Sequence, residues 1–153
     1  MTVMSPVTAR LEAIVESWLA QLFGFPRGTA VGFVSGTAVA NFAGLAAGLS
    51  RLLERLGWDV DAKGSYGAPR LRIVTSEHAH AAVHRAIAML GFGDATVERV
   101  PVDDQGRLVA ADLPPLDDHC LVVLQAGNVN SGSFDPIEEV CAAGRWRVIR
   151  WTT

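Results

Sequence analysis

Residues 32–41 read Gly-Phe-Val-Ser-Gly-Thr-Ala-Val-Ala-Asn, decide the predicted fold and continue without a break into an alanine-rich segment that ends near Leu56. The first of these residues are apolar and predict a strand, Ser35-Gly36-Thr37 predicts a tight turn, and the good helix formers that follow predict a helix. Such a turn leaves backbone N–H groups unpaired at the positive end of the helix dipole, where a phosphate can bind. The plainer alternative is that the glycine only lets the helix pack close to the sheet. Two common nucleotide fingerprints, G-x-G-x-x-G and G-x-x-x-x-G-K-[ST], do not occur in this stretch.

The size and charge of the chain restrict the function classes. The chain has 153 residues, half of them apolar, which suits one domain that buries about two thirds of its surface. With 13 basic and 16 acidic residues the formal net charge is −3, so the sequence predicts no nucleic-acid partner and no membrane anchor. Residues 1–8 lack the basic and apolar regions of a leader, and we expect a cytoplasmic protein. Cys120 and Cys141 are far apart without a C-x-x-C, so both are predicted to be buried thiols of a reducing compartment.

Predicted helices and strands alternate along the chain. A helix with a core-facing apolar stripe is predicted after Ser5-Pro6, because serine can cap a helix and proline suits its first position. Thr75-Ser76 is predicted to cap a helix that runs to about Leu90, and Asp135-Pro136 one that runs to about Ala143. Further strands are predicted at residues 71–74, 96–102, 120–124 and 146–151. This alternation predicts an α/β fold with a mostly parallel, doubly wound sheet, whose ligands bind at the carboxyl ends of the strands.

Three histidines, His78, His80 and His84, follow the strand predicted at residues 71–74. His80 and His84 are four residues apart and would share a helix face, as a zinc pair does, although no carboxylate or cysteine lies at a matching offset. Capping or surface histidines are the plainer alternative. A neutral imidazole at the carboxyl end of a strand can also lie flat against an aromatic cofactor ring.

A polar loop, Gln125-Ala126-Gly127-Asn128-Val129-Asn130-Ser131-Gly132-Ser133-Phe134-Asp135-Pro136, follows the continuous apolar run at residues 120–124. The apolar run is typical of a strand that is covered on both faces. The loop therefore follows a buried strand, where it can contact a ligand or serve as an ordinary connection.

Together these segments resemble the pyridoxal-phosphate-dependent group II decarboxylases of the aromatic-amino-acid and glutamate type. The resemblance covers nearly everything from Ser5 to Trp146 and rests on four motifs in family order: SGTAVANFAGLAAGLSRLL, TSEHAHAAVHRAIAMLGFG, VPVDDQGRL and LQAGNVNSGSFDPIEEVC. It implies part of the large cofactor-binding domain of fold-type I enzymes, with pyridoxal 5'-phosphate as cofactor. It also implies a small-molecule amino acid as substrate and a homodimer as the family's assembly.

The resemblance assigns roles to individual residues. Gly36, Thr37 and Ala38 match the phosphate-binding turn of the family, and His80 matches the histidine that stacks on the pyridine ring. Asn128 lies in the loop that approaches the ring and its substituents. His78 stands at a position where relatives often carry Gln or Glu, and we do not expect it to be catalytic.

The sequence departs from the family pattern near its end. Family members carry H-V-D in a short strand after the tryptophan that matches Trp146, and the lysine of the internal aldimine further on, whereas this chain reads Arg-Val-Ile-Arg-Trp-Thr-Thr to residue 153. Lys63 is the only lysine and matches the catalytic one in neither position nor context, so we expect it on the surface. We therefore expect residues 1–153 to be an incomplete large domain, without the N-terminal arm and the C-terminal small domain, that is inactive on its own and prone to self-association.

Other interpretations stay open beside the decarboxylase. A non-catalytic remnant could still bind phosphate, the cofactor or a partner chain. Another fold-type I enzyme, such as an aminotransferase, is a further alternative, although the segments around His80 and Asn128 favour the decarboxylase.

Overall fold

The computed structural model describes residues 5–26 and 28–144 and comprises two compact units, Met1–Ser35 and Gly36–Thr153. In the first unit, helix α1 (Pro6–Leu22) confirms the helix predicted after Ser5. Most of the apolar stripe that the sequence predicts to face a core is exposed, with exposed fractions of 64% at Trp18 and 75% at Leu22, and none of its residues is buried. The periodicity predicts the helix correctly, but it does not determine what covers the apolar face.

The strand predicted at residues 32–34 is wrong. Residues 31–34 have no regular secondary structure, and Phe33 and Val34 are exposed. A strand needs a neighbouring strand to pair its backbone groups. The Val31 N–H instead donates to the Glu16 side chain at 3.2 Å.

Helix α2 (Thr37–Arg55) confirms the predicted alanine-rich helix, and Gly57 follows it in the left-handed conformation at φ 77°. A short helix, α3 (Val60–Lys63), lies in the polar segment that follows, and the Asp59 side chain caps it. Lys63 is exposed, as predicted, and its Nζ lies 5.0 Å from the centre of the Trp58 ring.

The described part of the second unit contains a three-stranded parallel sheet, with β1 (Arg72–Ser76) between β2 (Val97–Val100) and β3 (Cys120–Val123). Ile73 and Val74 of the central strand are fully buried. The predicted parallel sheet is thereby confirmed, with three of the predicted strands in place. The strand predicted at residues 146–151 lies outside the described residues.

Helix α4 (Ala81–Met89) begins five residues later than the predicted cap Ser76. Thr75 and Ser76 are the last residues of β1, where they pair with Val123 and Val100 of the neighbouring strands. Hydrogen bonding on both sides of a central strand outweighs the local preference of Ser and Thr for a helix cap. His80 caps the helix instead.

Helices cover both faces of the sheet, as a doubly wound fold requires. Ile73 packs with residues of α2 and α4, including Leu45 and Ala86. Val74 points to the opposite face, because side chains alternate along a strand, and packs with Val140 of helix α5 (Ile137–Gly144).

Helix α2 runs antiparallel to the central strand. Leu71, just before β1, packs with Leu49, Leu52 and Leu53, whereas Ile73, further along the strand, packs with Leu45. Advancing along the strand therefore means moving back along the helix. The N-terminus of α2 consequently points toward the carboxyl edge of the sheet.

Candidate functional site

The carboxyl edge of the sheet brings together the segments that the sequence predicted to bind a ligand. His78 and His80 follow β1, and Gln125 to Asn128 follow β3, its neighbour. The carboxyl ends of parallel strands lie at one edge of a sheet, and the N-terminus of α2 points to the same edge. The site is therefore assembled from three separate parts of the chain.

The first turn of α2 is open to an anion. Gly36 is its N-cap residue and has no side chain to cap the helix, and among the described residues no side-chain cap bond is present there. Within the described residues, the first backbone bond of this helix is donated by the Ala40 N–H to the Gly36 carbonyl at 3.0 Å. Thr37 and Ala38 are the first two residues of this long helix, so their N–H groups lie at the positive end of its dipole. Both residues are exposed.

His80 holds the start of α4. Its Nδ1 accepts the Ala82 N–H at 3.2 Å, and its backbone is extended at φ −60° and ψ 144°. Because Nδ1 accepts this bond, Nε2 is the ring nitrogen that the cap does not use. The residue is exposed, and its ring is fixed by the cap at the edge where the α2 N-terminus points.

The positions of His80 and His84 do not support the zinc pair that their spacing allows. His84 is in α4, half-buried, while His80 uses one ring nitrogen for the helix cap. Among residues 5–26 and 28–144, no three His, Cys, Asp or Glu side chains are grouped so that they could hold a metal ion.

Asn128 shapes its own loop. Its Oδ1 accepts the N–H groups of Asn130 and Ser131, at 2.9 and 3.3 Å. Its amide nitrogen lies against Gly106, since a Cβ built on that glycine would be 2.8 Å from Nδ2. The side chain therefore has a structural role that the motif did not predict, and its contact with a cofactor stays a prediction.

Sequence reasoning missed the role of Asp135, which it treated only as a helix cap. The side chain is buried, and its carboxylate accepts the Leu108 N–H at 2.8 Å and the Gln125 N–H at 2.6 Å. Its carbonyl accepts the Ile137 N–H at 2.7 Å. An aspartate before proline is a common capping signal, so no local pattern indicated these distant partners.

The cysteines differ in burial. Burial raises the pKa of the Cys120 thiol to about 11, so this thiol stays protonated at neutral pH. Cys141 is only half-buried, which corrects the expectation that both are buried. Cys120 lies at the start of β3, away from the carboxyl edge.

Solved structures show the class of domain to which this arrangement belongs. Mouse CSAD in its apo form is 28% identical with a TM-score of 0.75, and the match covers 92% of this chain and 31% of that one. The glutamate decarboxylase domain of diaminobutyrate-pyruvate transaminase and L-2,4-diaminobutyrate decarboxylase from Vibrio parahaemolyticus shares the fold with a TM-score of 0.79 at 21% identity, over 99% of this chain and 35% of that one. The fold is that of the large domain of fold-type I pyridoxal-phosphate decarboxylases.

The family follows from the sequence match. The sequence model of a protein family, described as the pyridoxal-dependent decarboxylase conserved domain, matches residues 1–147. The chain belongs to the pyridoxal-dependent decarboxylase family, whose cofactor is pyridoxal phosphate, and the resemblance drawn from the motifs is confirmed. Acidic amino acid decarboxylase GADL1 from Xenopus tropicalis is 29% identical over 145 residues, which are 90% of this chain and 27% of that relative. The chain thus spans between 27% and 35% of the length of these relatives.

Proposed function

We propose that this chain is the part of an amino-acid decarboxylase that binds the phosphate and ring of pyridoxal phosphate. The observation that carries the proposal is the N-terminus of α2, which has no side-chain cap among the described residues and points to the edge where the His80 ring lies. The backbone N–H groups of Thr37 and Ala38, behind Gly36, would hold the phosphate, and His80 would stack on the ring. Membership of the pyridoxal-dependent decarboxylase family is the reason to expect this ligand and not another phosphate compound.

The described residues fit such a ligand in their chemistry. The phosphate dianion needs N–H donors that are free of internal partners, and the first turn of α2 offers them. When bound and joined to an amino acid, the cofactor withdraws the electrons left by departing carbon dioxide. The chain's own residues bind and orient, and we propose no catalytic residue among them.

The full reaction is proposed to need residues that the motifs of this chain do not contain. Lys63 is the only lysine of residues 1–153 and lies in the segment around α3, so we propose that these residues alone do not catalyse the reaction. The non-catalytic remnant that binds the cofactor is the second candidate, and the open α2 N-terminus favours it over a protein with no ligand. For either candidate function we propose that the protein is cytoplasmic.

A binding titration tests the proposal. The probe is pyridoxine 5'-phosphate, which has the phosphate and the ring but lacks the aldehyde that reacts with surface amines. In His80→Asn the ring is lost, while asparagine, a good N-cap residue, preserves the start of α4. We expect calorimetry to show binding to the wild type that is weakened about tenfold in His80→Asn, the equivalent of about 1.4 kcal/mol.

The matched control is His78→Asn, the same replacement at an exposed histidine two residues earlier. It is expected to bind the probe as the wild type does. Absence of binding to the wild type, or equal loss in both variants, would contradict the proposal. A separate titration with pyridoxal phosphate, borohydride trapping and peptide mapping tests for inactivity, because a trapped adduct at Lys63 would reveal a Schiff-base site that we do not propose.

A further inference from the structure

The buried carboxylate of Asp135 connects two segments that are distant in sequence. It is 5% exposed, and each of its oxygens accepts one backbone N–H. One donor, Gln125, lies just after β3. The other, Leu108, lies in the connection after β2, where it forms an antiparallel bridge with Val102. The strands β2 and β3 lie on opposite sides of β1, so this single side chain links the connections on both sides of the central strand.

A second set of contacts holds the same loop from its outer side. The hydroxyls of Ser131 and Ser133 both donate to the Gln105 carbonyl at 2.7 Å. The Asn128 amide lies on Gly106, the next residue of that turn. The loop at residues 125–135, here called the docking loop, is therefore fixed at its tip to the turn at residues 103–107 and through Asp135 to Leu108, the residue that follows this turn.

The connection after β1 belongs to the same assembly. The Glu77 N–H donates to the Val100 carbonyl at 2.9 Å, and the Glu77 carboxylate accepts the Val102 N–H at 3.2 Å. Glu77 is three residues before His80. The segments that carry His80 and Asn128 are consequently joined through a continuous set of hydrogen bonds, in which the Glu77 and Asp135 carboxylates accept from backbone N–H groups.

We propose that Asp135 is a positioning residue of the cofactor site, which it serves by fixing the docking loop, and with it Asn128, at the carboxyl edge. The inference rests on the proposed function. A carboxylate is required because it offers acceptors in both directions, while asparagine offers one oxygen and turns an N–H donor toward the second N–H. A buried backbone N–H that loses its acceptor keeps the desolvation penalty, so the loop is expected to open.

The test compares Asp135→Asn with Asp117→Asn. Asp117 is a matched control, because its carboxylate also accepts a backbone N–H, that of His119 at 2.9 Å, but lies before β3 at the opposite edge of the sheet. Amide hydrogen exchange is read in peptides of the docking loop and of α4, and pyridoxine 5'-phosphate binding is measured by calorimetry at a temperature where circular dichroism shows each variant folded.

We expect Asp135→Asn to raise exchange in the docking loop at least tenfold, to leave α4 unchanged and to weaken probe binding several-fold. Asp117→Asn is expected to change neither. A general loss of stability would instead raise exchange throughout the second unit. Unchanged loop exchange, or a freed loop with unchanged probe affinity, would overturn the inference.

A second variant keeps the inference testable if Asp135→Asn does not fold. The double variant Ser131→Ala and Ser133→Ala releases the docking loop from the Gln105 carbonyl without touching the buried carboxylate. Faster loop exchange with weaker probe binding would support positioning through the loop, and faster exchange alone would contradict it. If the wild type binds no probe, the proposed function fails, and the cofactor-positioning role of Asp135 fails with it. If loop exchange in Asp135→Asn is the same as in the wild type, the claim that Asp135 fixes the docking loop fails on its own.

Discussion

Asn128 shows how a side chain singled out by a motif can be used by the fold itself. Its oxygen accepts the Asn130 and Ser131 N–H groups, and its nitrogen lies against Gly106. Gly106 is in the left-handed region at φ 76°, where a side chain is strained. The geometry of this pair therefore depends on the absence of a Cβ at residue 106.

Replacing Gly106 with alanine is expected to destabilise the protein by more than backbone strain alone. The added Cβ would meet the Asn128 amide, so that this side chain must leave its two N–H partners. Left-handed backbone costs an alanine about 1–2 kcal/mol, and the lost loop bonds add to this. The free energy of unfolding is measured by urea denaturation.

Gly91→Ala is the matched control, because Gly91 has φ 86° and a Cβ there would have nothing within 4 Å. It is expected to lose only the strain contribution. Equal losses in Gly106→Ala and Gly91→Ala would show that the Asn128 contact contributes nothing.

At this scale the sequence predicts which residues lie at the site better than what they touch. His80 and Asn128 follow parallel strands, whose carboxyl ends lie at one edge of the sheet, and Gly36 begins a helix that runs antiparallel to the central strand, so all three lie in segments that reach this edge. The partners of Asp135 could not be predicted, since Leu108 is 27 residues away and its N–H belongs to the backbone, which carries no sequence signal.

At the scale of elements, strands β1 and β2 are joined by an ion pair beside their hydrogen bonds. Arg72 donates to Glu98 through Nε at 2.6 Å and through a second nitrogen at 2.9 Å, and also to Asp117 at 3.1 Å. The hydrogen bond from Arg72 lowers the pKa of Glu98. The pKa of Asp117 is lowered mainly by the hydrogen bond from the His119 N–H and to a smaller extent by the charge of Arg72. Both carboxylates are partly exposed, so the gain is modest.

These shifts set the direction of a pH dependence. A carboxyl group whose pKa is lower in the folded state stabilises that state above its unfolded pKa of about 4, and the contribution is lost as the pH falls further. We expect the melting temperature to be nearly constant between about pH 7 and 5 and to drop below about pH 4. In Glu98→Gln it should be lower by no more than about 3 °C at pH 7, with a shallower acid decrease. An identical acid decrease in the variant and the wild type, by differential scanning calorimetry, would contradict the assignment.

Element boundaries were predictable where local signals act alone. The end of α2 near Gly57 agrees with the sequence because a left-handed glycine terminates a helix locally. The sequence predicts the start of α4 too early and wrongly predicts a strand at residues 32–34, because pairing with distant strands decides both.

At the scale of the whole molecule, helix α1 presents apolar side chains on one face. Val7, Leu11, Trp18 and Leu22 follow helical spacing and are each more than half exposed. Apolar faces of this kind mark interaction surfaces. We propose that a second copy of the chain covers this face.

Self-association is expected to depend on Trp18. In sedimentation velocity, the mean mass of the wild type should rise with concentration, and Trp18→Ala should weaken association at least about tenfold, because buried tryptophans dominate interfaces. Gln21→Ala, a change at another exposed position of the same helix, is the control and should leave association unchanged. A wild type that stays monomeric at every concentration would contradict the proposal.

The central position of β1 also imposes an order on folding. Its contacts with β2 join residues such as Arg72 and Glu98, 26 apart, while those with β3 join Thr75 and Val123, 48 apart. Closing the longer loop costs about 0.5 kcal/mol more in chain entropy, and on the ribosome β3 emerges last of the three. The strand pair β1–β2 is thus expected to form first and to present an unpaired edge until β3 arrives, which makes that interval the period in which the nascent chain is most exposed to aggregation.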